Sequence, residues 1–309
     1  MLIRRLTRFL PTLRHIPEMQ KAVCRSIAVV LLFSACPVTA EELSWFKDDK
    51  LVLTNGATTI EGTSGGGLAT WATIAGRTTD AGIGISAHVT GIELADYRWQ
   101  SHGVAIGIAN RIELSYARQN LDTRQVGTAL GLGRRYTLNQ DVFGAKLRLT
   151  GDLIYGNPSM PQIAIGIQHK RNLDGPVAQA VGAASNAGTD VIVSATKLIL
   201  SRSLLVNATV RLTEGNEGGL LGFGNAAGKG HSVQFEGSLG YQLSRRALVG
   251  AELRTKPDNL NLGESDWVDL FAAYAVTDNV TLTAAYTDLG TIATFDKQRG
   301  ALLSAQLAF

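Results

Sequence analysis

The feature that most constrains this chain is an alternation of period two that continues to its last residue. In NVTLTAAYTD (279–288), Val280, Leu282, Ala284 and Tyr286 fall on one side, and Thr281, Thr283, Ala285 and Thr287 on the other. In SLLVNATVRLT, Leu204, Val206, Ala208, Val210 and Leu212 oppose Leu205, Asn207, Thr209 and Arg211. In VQFEGSLGY, Val233, Phe235, Leu239 and Tyr241 oppose Gln234, Glu236, Ser238 and Gly240, and in PQIAIGIQHK three isoleucines oppose Ala164, Gly166 and Gln168. A strand puts successive side chains on opposite faces, so this pattern makes half-buried strands rather than helices. The polar faces carry Glu113, Lys146, Arg148, Arg211, Glu236, Glu252 and Arg254 among small residues. A water-filled barrel lumen accommodates such a face while the apolar face meets lipid, and closure leaves no unpaired edge in hydrocarbon. A β-sandwich explains the alternation but does not readily explain which face is polar.

Connectors also alternate in length. ANR, LSRS, LSRR and VTDN are tight, whereas NLDTRQVGTALGLGRRYTLNQ, KRNLDGPVAQAVGAASNAG, TEGNEGGLLGFGNAAGKG and KPDNLNLGESD are long. Tight turns at one end and long loops at the other mark up-and-down outer-membrane barrels. The expectation is an all-β, transmembrane, antiparallel barrel over residues 41–309, with fourteen strands. They lie near 51–62, 68–75, 81–91, 96–108, 111–119, 141–150, 161–170, 189–199, 203–213, 231–242, 246–255, 266–276, 279–288 and 299–309. The alternative is twelve, with 51–62 lying inside as a plug or tether. The chain ends in GALLSAQLAF, with Ala301, Leu303, Ala305, Leu307 and Phe309 on one face. A strand closing on an aromatic residue resembles the signature that such barrels present to their assembly machinery, so Leu303, Leu307 and Phe309 form the candidate assembly signal.

Residues 27–36 (IAVVLLFSAC) form an apolar run behind Lys21 and Arg25, and Val38 and Ala40 occupy the small-residue positions before EE. This is the layout expected of a secretory signal peptide over 1–40, with Met19 as a candidate start, and ten apolar residues are too short to span a bilayer. A rival reading takes LFSAC as a lipoprotein box with lipid on Cys36, although Phe33 fits it poorly. Removing 1–40 takes away six basic residues and one acid, leaving 23 against 25 and a net charge of −2. The overall basicity therefore belongs to the leader and points to no nucleic-acid partner. Both cysteines, Cys24 and Cys36, leave as well, which excludes disulfides, Cys nucleophiles and Cys metal sites.

Motifs for chemistry are sparse. His88, His102, His169 and His231 show no metal-ligand spacing and read as girdle or loop residues. GFGNAAGKG misses a phosphate loop, because Phe223 holds the first glycine position and Gly230 replaces the hydroxyl residue. Ser101 beside His102 is suggestive only, since catalytic sets are defined by geometry. No cofactor, no metal and no enzyme activity are expected. The charged lumen is the main clue: Glu113 shares a face with Lys146 and Arg148, and Glu236 with Glu252 and Arg254. Such residues become neighbours about 5 Å apart if the register allows. They serve either as internal ion pairs or as the lining of a water path. Lys256, Asp258, Asn259 and Asp296–Arg299 are placed near the long-loop mouth as a polar lattice that holds the loops.

Four strings, IELSYARQNLDT, TDVIVSATKLILSRSLLVNATVRLT, FEGSLGYQLSRRALVGAELRTKPDNL and AAYTDLGTIATFDKQRG, together resemble a family of Gram-negative outer-membrane proteins of unknown function. The resemblance runs from about Lys50 to Phe309. It implies a β-barrel in the bacterial outer membrane and brings no activity or catalytic residue with it. The functional expectation is a monomeric passive or facilitated channel for an unknown small solute, with outer-membrane lipid and the barrel-assembly machinery as partners. An envelope-lipid-modifying enzyme and a structural or adhesive barrel are the alternatives.

Overall fold

The computed structural model describes residues 50–309 other than Asp80, Pro158 and Lys229. The expected signal peptide, the start at Met19 and Cys36 lie outside the described residues.

Two short strands, β1 (Ala57–Thr58) and β2 (Ser64–Gly65), pair with each other and stand outside the barrel ladder. Twelve further strands form a closed antiparallel barrel. They are β3 (Ile83–Glu93), β4 (Arg98–Ile108), β5 (Ile112–Asp122), β6 (Thr137–Thr150), β7 (Gln162–Asn172) and β8 (Ala187–Ile199), followed by β9 (Leu204–Thr213), β10 (Ser232–Ser244), β11 (Ala247–Arg254), β12 (Trp267–Ala275), β13 (Val280–Asp288) and β14 (Arg299–Ala308). Each pairs with its sequence neighbour, and β14 closes the ring on β3 through pairs such as Leu307↔Ala87.

The fourteen-strand count is thereby corrected to twelve, the alternative. Stretches 51–62 and 68–75 are not wall strands; they lie inside the barrel. Nearly every residue from Thr54 to Thr78 is buried, polar and apolar alike. A segment enclosed on all sides has no solvent or lipid face, so period two is lost where the fold changes from wall to filling.

The wall shows the inverse of a soluble protein. On β9, Arg211 is 1% exposed and Thr209 2%, whereas Val210 between them is 44% exposed. Phe235 and Leu239 on β10 and Leu270 on β12 likewise point outward. The charged and hydroxylated side chains of the wall are gathered on its inner face, beside a buried apolar cluster, and the outer face is largely apolar.

Both barrel termini lie at one end, together with the connections 109–111, 200–203, 245–246 and 276–279 and the longer 151–161. Ala109 and Asn110 both take positive φ (48° and 47°), the mirror-image two-residue turn whose twist matches an antiparallel pair. The other end carries 94–97 and the five longer loops 123–136, 173–186, 214–231, 255–266 and 289–298. At the short-turn end the last residue is fixed: Phe309 N donates to Ile85 O (2.8 Å), and Ile85 N donates to Phe309 O (2.9 Å). Leu303 and Phe309 are exposed on the outer face and Leu307 is half-buried.

Candidate functional site

The site is the filled lumen. The inner segment rises and returns from the short-turn end, where Lys50 N meets Arg77 O (3.0 Å) and Arg77 N meets Phe309 O (3.0 Å). At its far end Ile60 O accepts from Ser101 Oγ and Gln119 Nε2, both at 2.6 Å. From the opposite end the loop 214–231 folds inward, burying Leu220, Leu221 and Phe223. Its Gly218 O accepts from Gln140 Nε2 and Lys170 Nζ, each at 3.2 Å. Lys170 also holds Glu61 of the inner segment at 2.5 Å, so the two fillings meet at this lysine.

Charged wall residues grip the inner segment largely by its main chain. Glu252 Oε2 accepts from Leu68 N (2.8 Å), and Glu236 Oε2 accepts from Thr70 N (2.7 Å). Glu113 accepts from Ala75 N (2.8 Å), Ser64 N (3.2 Å) and the Thr63 hydroxyl. Lys146 Nζ donates to Thr73 O (2.8 Å) and Ser64 O (3.1 Å), and Arg254 donates to Leu68 O (3.3 Å). Trp71 Nε1 reaches Ser238 Oγ at 2.8 Å, and Gln162 Nε2 reaches Ala72 O at 2.6 Å. Contact is close enough that a Cβ on Gly66 would run into the Glu252 carboxylate, which explains a glycine there.

Toward the long-loop end of the strands the charges form one network. Glu61 pairs with Arg211 (2.9 Å) and Arg254 (2.7 Å) as well as Lys170. Asp190 pairs with Lys170 and Arg211, both at 2.8 Å, and Glu236 with Arg211 at 2.6 Å. Three acids face three bases, so burial leaves no net charge here. An apolar cluster packs around the network, with Ile60, Leu68 and Trp71 of the inner segment among Ile92, Trp99, Leu121, Trp267, Phe271 and Leu302. Trp99 and Trp267 meet edge to face across the lumen with ring centroids 5.5 Å apart, and Arg254 lies 5.0 Å above the Trp267 ring.

The structure brings together six of the seven residues read from sequence as lumen-lining. Glu113 stands directly opposite Lys146 (3.3 Å), and Glu236 directly opposite Arg254. Glu252, Glu236, Arg254 and Arg211 surround one stretch of the inner segment. Arg148 is half-buried near the short-turn end, opposite Ala164. Sequence reasoning missed Glu61, Lys170 and Asp190. Lys170 and Asp190 were accessible by extending the inward parity of Gln168 and Ile192 by two residues, whereas Glu61 lies in a stretch without a period.

At the long-loop mouth Lys256 Nζ pairs with Glu217 and Glu264, both at 2.6 Å, and donates to Thr291 O at 2.7 Å. One ammonium thus ties three loops together. Asn259 bonds Asn216 and receives Asn225 at its carbonyl, Asp258 caps Leu262 N and Gly263 N, and Arg299 pairs with Asp288 at 2.6 Å. Of the expected loop lattice, Lys256, Asp258, Asn259 and Arg299 make these contacts, and Gln298 Nε2 donates to Asp96 at 2.8 Å. His88 is not a girdle residue: it is buried on the inner face with Nε2 3.2 Å from Ser101 Oγ. Ser101 is buried and His102 exposed, on opposite faces of β4, so these neighbours do not form a pair.

The lumen and fold define a closed antiparallel barrel filled by its own N-terminal segment. The chain belongs to the family described as protein of unknown function (DUF3034), whose model matches residues 54–306 and so includes the inner segment. Among solved structures it is similar to the KdgM porin (12% identity, TM-score 0.48, covering 72% of this chain and 99% of the porin). It is also similar to the NanC porin (10%, 0.46, 73% and 98%) and to an active-site variant of outer membrane phospholipase A from Escherichia coli (12%, 0.41, 74% and 90%). No curated protein matches the sequence.

Proposed function

We propose that this chain is a barrel of the bacterial outer membrane whose lumen passes small polar solutes when the inner segment withdraws. The apolar exterior supports the membrane placement: a wall with outward Leu, Val, Ile and Phe needs hydrocarbon around it, and closure satisfies every strand edge. Outer-membrane lipid and the barrel-assembly machinery are then its partners, with Leu303, Leu307 and Phe309 as the assembly signal. The short-turn end faces the periplasm.

One observation carries the channel reading. The wall meets its filling with Glu113, Lys146, Gln162, Thr196, Arg211, Glu236, Glu252 and Arg254. Buried ion pairs are a poor way to gain stability, because desolvation offsets most of their attraction. A permanent core is better served by hydrocarbon. A polar wall, by contrast, exchanges its hydrogen bonds for water once the segment leaves. Twelve strands enclose more space than the eight that side chains alone can fill. Lys146, Arg148, Lys170, Arg211 and Arg254 then face Glu113, Asp190, Glu236, Glu252 and Asp269. This balanced lining suits neutral or zwitterionic solutes and gives little preference between cations and anions.

Planar-bilayer conductance tests this reading. The intact chain should be closed most of the time, and a variant lacking residues 50–78 should conduct steadily, with a cation-to-anion permeability ratio within about threefold of one. A deletion variant that keeps heat-modifiable barrel mobility yet seals the bilayer overturns the channel. A mature chain that stays monodisperse without detergent overturns the membrane placement itself.

A further inference from the structure

The outer wall differs around its circumference. On β9–β12 the outward positions are apolar to within one residue of the long-loop end, at Leu212, Val233, Leu253 and Val268. On β4, β5 and β6 the outward face turns polar four residues before that end, at His102, Arg118 and Asp141. These residues form one row across the sheet with Arg171 of β7, through the pairs His102↔Arg118, Arg118↔Asp141 and Asp141↔Arg171. Arg118 holds Asp141 with two bonds, Nε–Oδ1 at 2.5 Å and Nη2–Oδ2 at 3.1 Å, and Tyr116 donates to Oδ1 at 2.8 Å. Asp141 is the one carboxylate in the row, against two arginines and a histidine, and Arg171 is exposed.

The rows on either side complete a graded surface. Toward the barrel middle stand Tyr116 and Phe143, directly opposite each other with ring centroids 5.1 Å apart, and beyond them Leu114, Ile106 and Ile167. Toward the loops stand Gln100, Asn120 and Asn139, with Asn120 Nδ2 donating to Asn139 Oδ1 at 2.6 Å. From the middle of the wall upward the order is aliphatic, aromatic, basic, then amide.

We propose that this face binds the phosphorylated headgroup of a glycolipid in the leaflet at the long-loop end; this rests on the membrane placement argued above. Arginine matches phosphate oxygens with a planar fork of donors, and partial desolvation beside the aromatic pair strengthens that contact. The amides above it offer donors and acceptors at the level of sugar hydroxyls, and the rings and aliphatic residues below lie along acyl chains. An ion-pair lattice meant for water would gain at most about 1 kcal/mol per pair and would not need this ordering.

The test uses the full mature chain in dodecyl maltoside, with native mass spectrometry after adding rough lipopolysaccharide, its dephosphorylated form, phosphatidylglycerol or inorganic phosphate. Expected is retention of the phosphorylated glycolipid over the other three. The double variant Arg118→Gln/Arg171→Gln should weaken it at least tenfold with unchanged heat-modifiable mobility. A milder pair, Arg118→Lys/Arg171→Lys, should recover part of the retention and guards against misfolding. Equal retention by wild type and the glutamine variant overturns the proposal, as do equal binding of phosphatidylglycerol, binding of free phosphate alone, and a lipid-free dimer broken by the same substitutions. A detergent-bound barrel that holds no glycolipid fails this inference alone. A chain that needs no detergent fails the membrane placement before the question arises.

Discussion

Arg211 is held by three carboxylates, Glu61, Asp190 and Glu236, and each of these has a second cation within reach. Glu61 comes from the inner segment and the others from the wall, so withdrawal of the segment takes one negative charge from a balanced set. Breaking a buried ion pair by removing one partner costs on the order of 3–5 kcal/mol, because a charge is left uncompensated. Glu61→Gln is therefore expected to destabilise the seated segment by about that amount. The check is urea titration in detergent followed by tryptophan emission, since Trp71, Trp99 and Trp267 are all buried around the network. A loss below about 1 kcal/mol would mean that Lys170, Arg211 and Arg254 are satisfied by Asp190 and Glu236 alone. At this scale the sequence was partly legible. Residues on strands with clean parity declared their side, which is why Glu113 and Lys146 were read as facing the same way. Glu61 declared nothing, because its neighbours Ile60 and Gly62 are buried as fully as it is.

At the scale of elements, the loops over the mouth hang on Lys256, Glu217 and Glu264. Burial and the neighbouring Glu264 carboxyl push Glu217 well above the usual carboxylate range, against the pull of Lys256. Burial works against the Lys256 charge, but Glu217 and Glu264 outweigh it and hold this ammonium above its usual value. For an acid raised on folding, the folded state binds the extra proton. Its stabilisation is complete below the ordinary glutamate range near pH 4.3 and is lost as pH climbs through the raised value. The Lys256 contribution also falls only with rising pH, above the ordinary lysine range. The mouth is therefore expected to be tightest in acid. Proteinase K cleavage within 214–231, normalised to an unfolded substrate, should accelerate from pH 5 to pH 8 in the wild type and flatten in Glu217→Gln. A flat wild-type profile would remove the latch. The twelve wall strands were legible because each has one face in the lumen and one outside, a difference that a period of two records directly. The inner segment was not, since its contacts are set by three-dimensional enclosure rather than by a repeating face. Within 68–75, Leu68 and Ile74 share one parity and Trp71 takes the other, so the apolar residues there mark no single strand face.

For the whole molecule the question is whether solute moves after the segment leaves or around it while it stays. The seal is built from both ends: the inner segment from the short-turn side, the loop 214–231 from the other, with Lys170 touching both. The absence of cysteine beyond residue 40 makes a clean test possible, because one introduced pair has no competitor. A Cβ built on Gly62 would lie 2.8 Å from the Cβ of Ala117 on β5. A disulfide needs about 3.8 Å between these atoms, so Gly62→Cys/Ala117→Cys requires a shift of about 1 Å. Gly62 has φ +87°, which adds strain of roughly 1–3 kcal/mol for a residue with a side chain. That strain is far smaller than the effect of tying the segment to the wall near its deepest point. Withdrawal then requires breaking a covalent bond. If it is the opening step, the oxidised variant should show none of the voltage-provoked conductance steps of the unlocked chain, and dithiothreitol should restore them. If an oxidised chain, with its cross-link verified by mass, conducts as the wild type does, solute threads past the seated segment. The charged wall would then act as a fixed filter rather than as the socket of a gate.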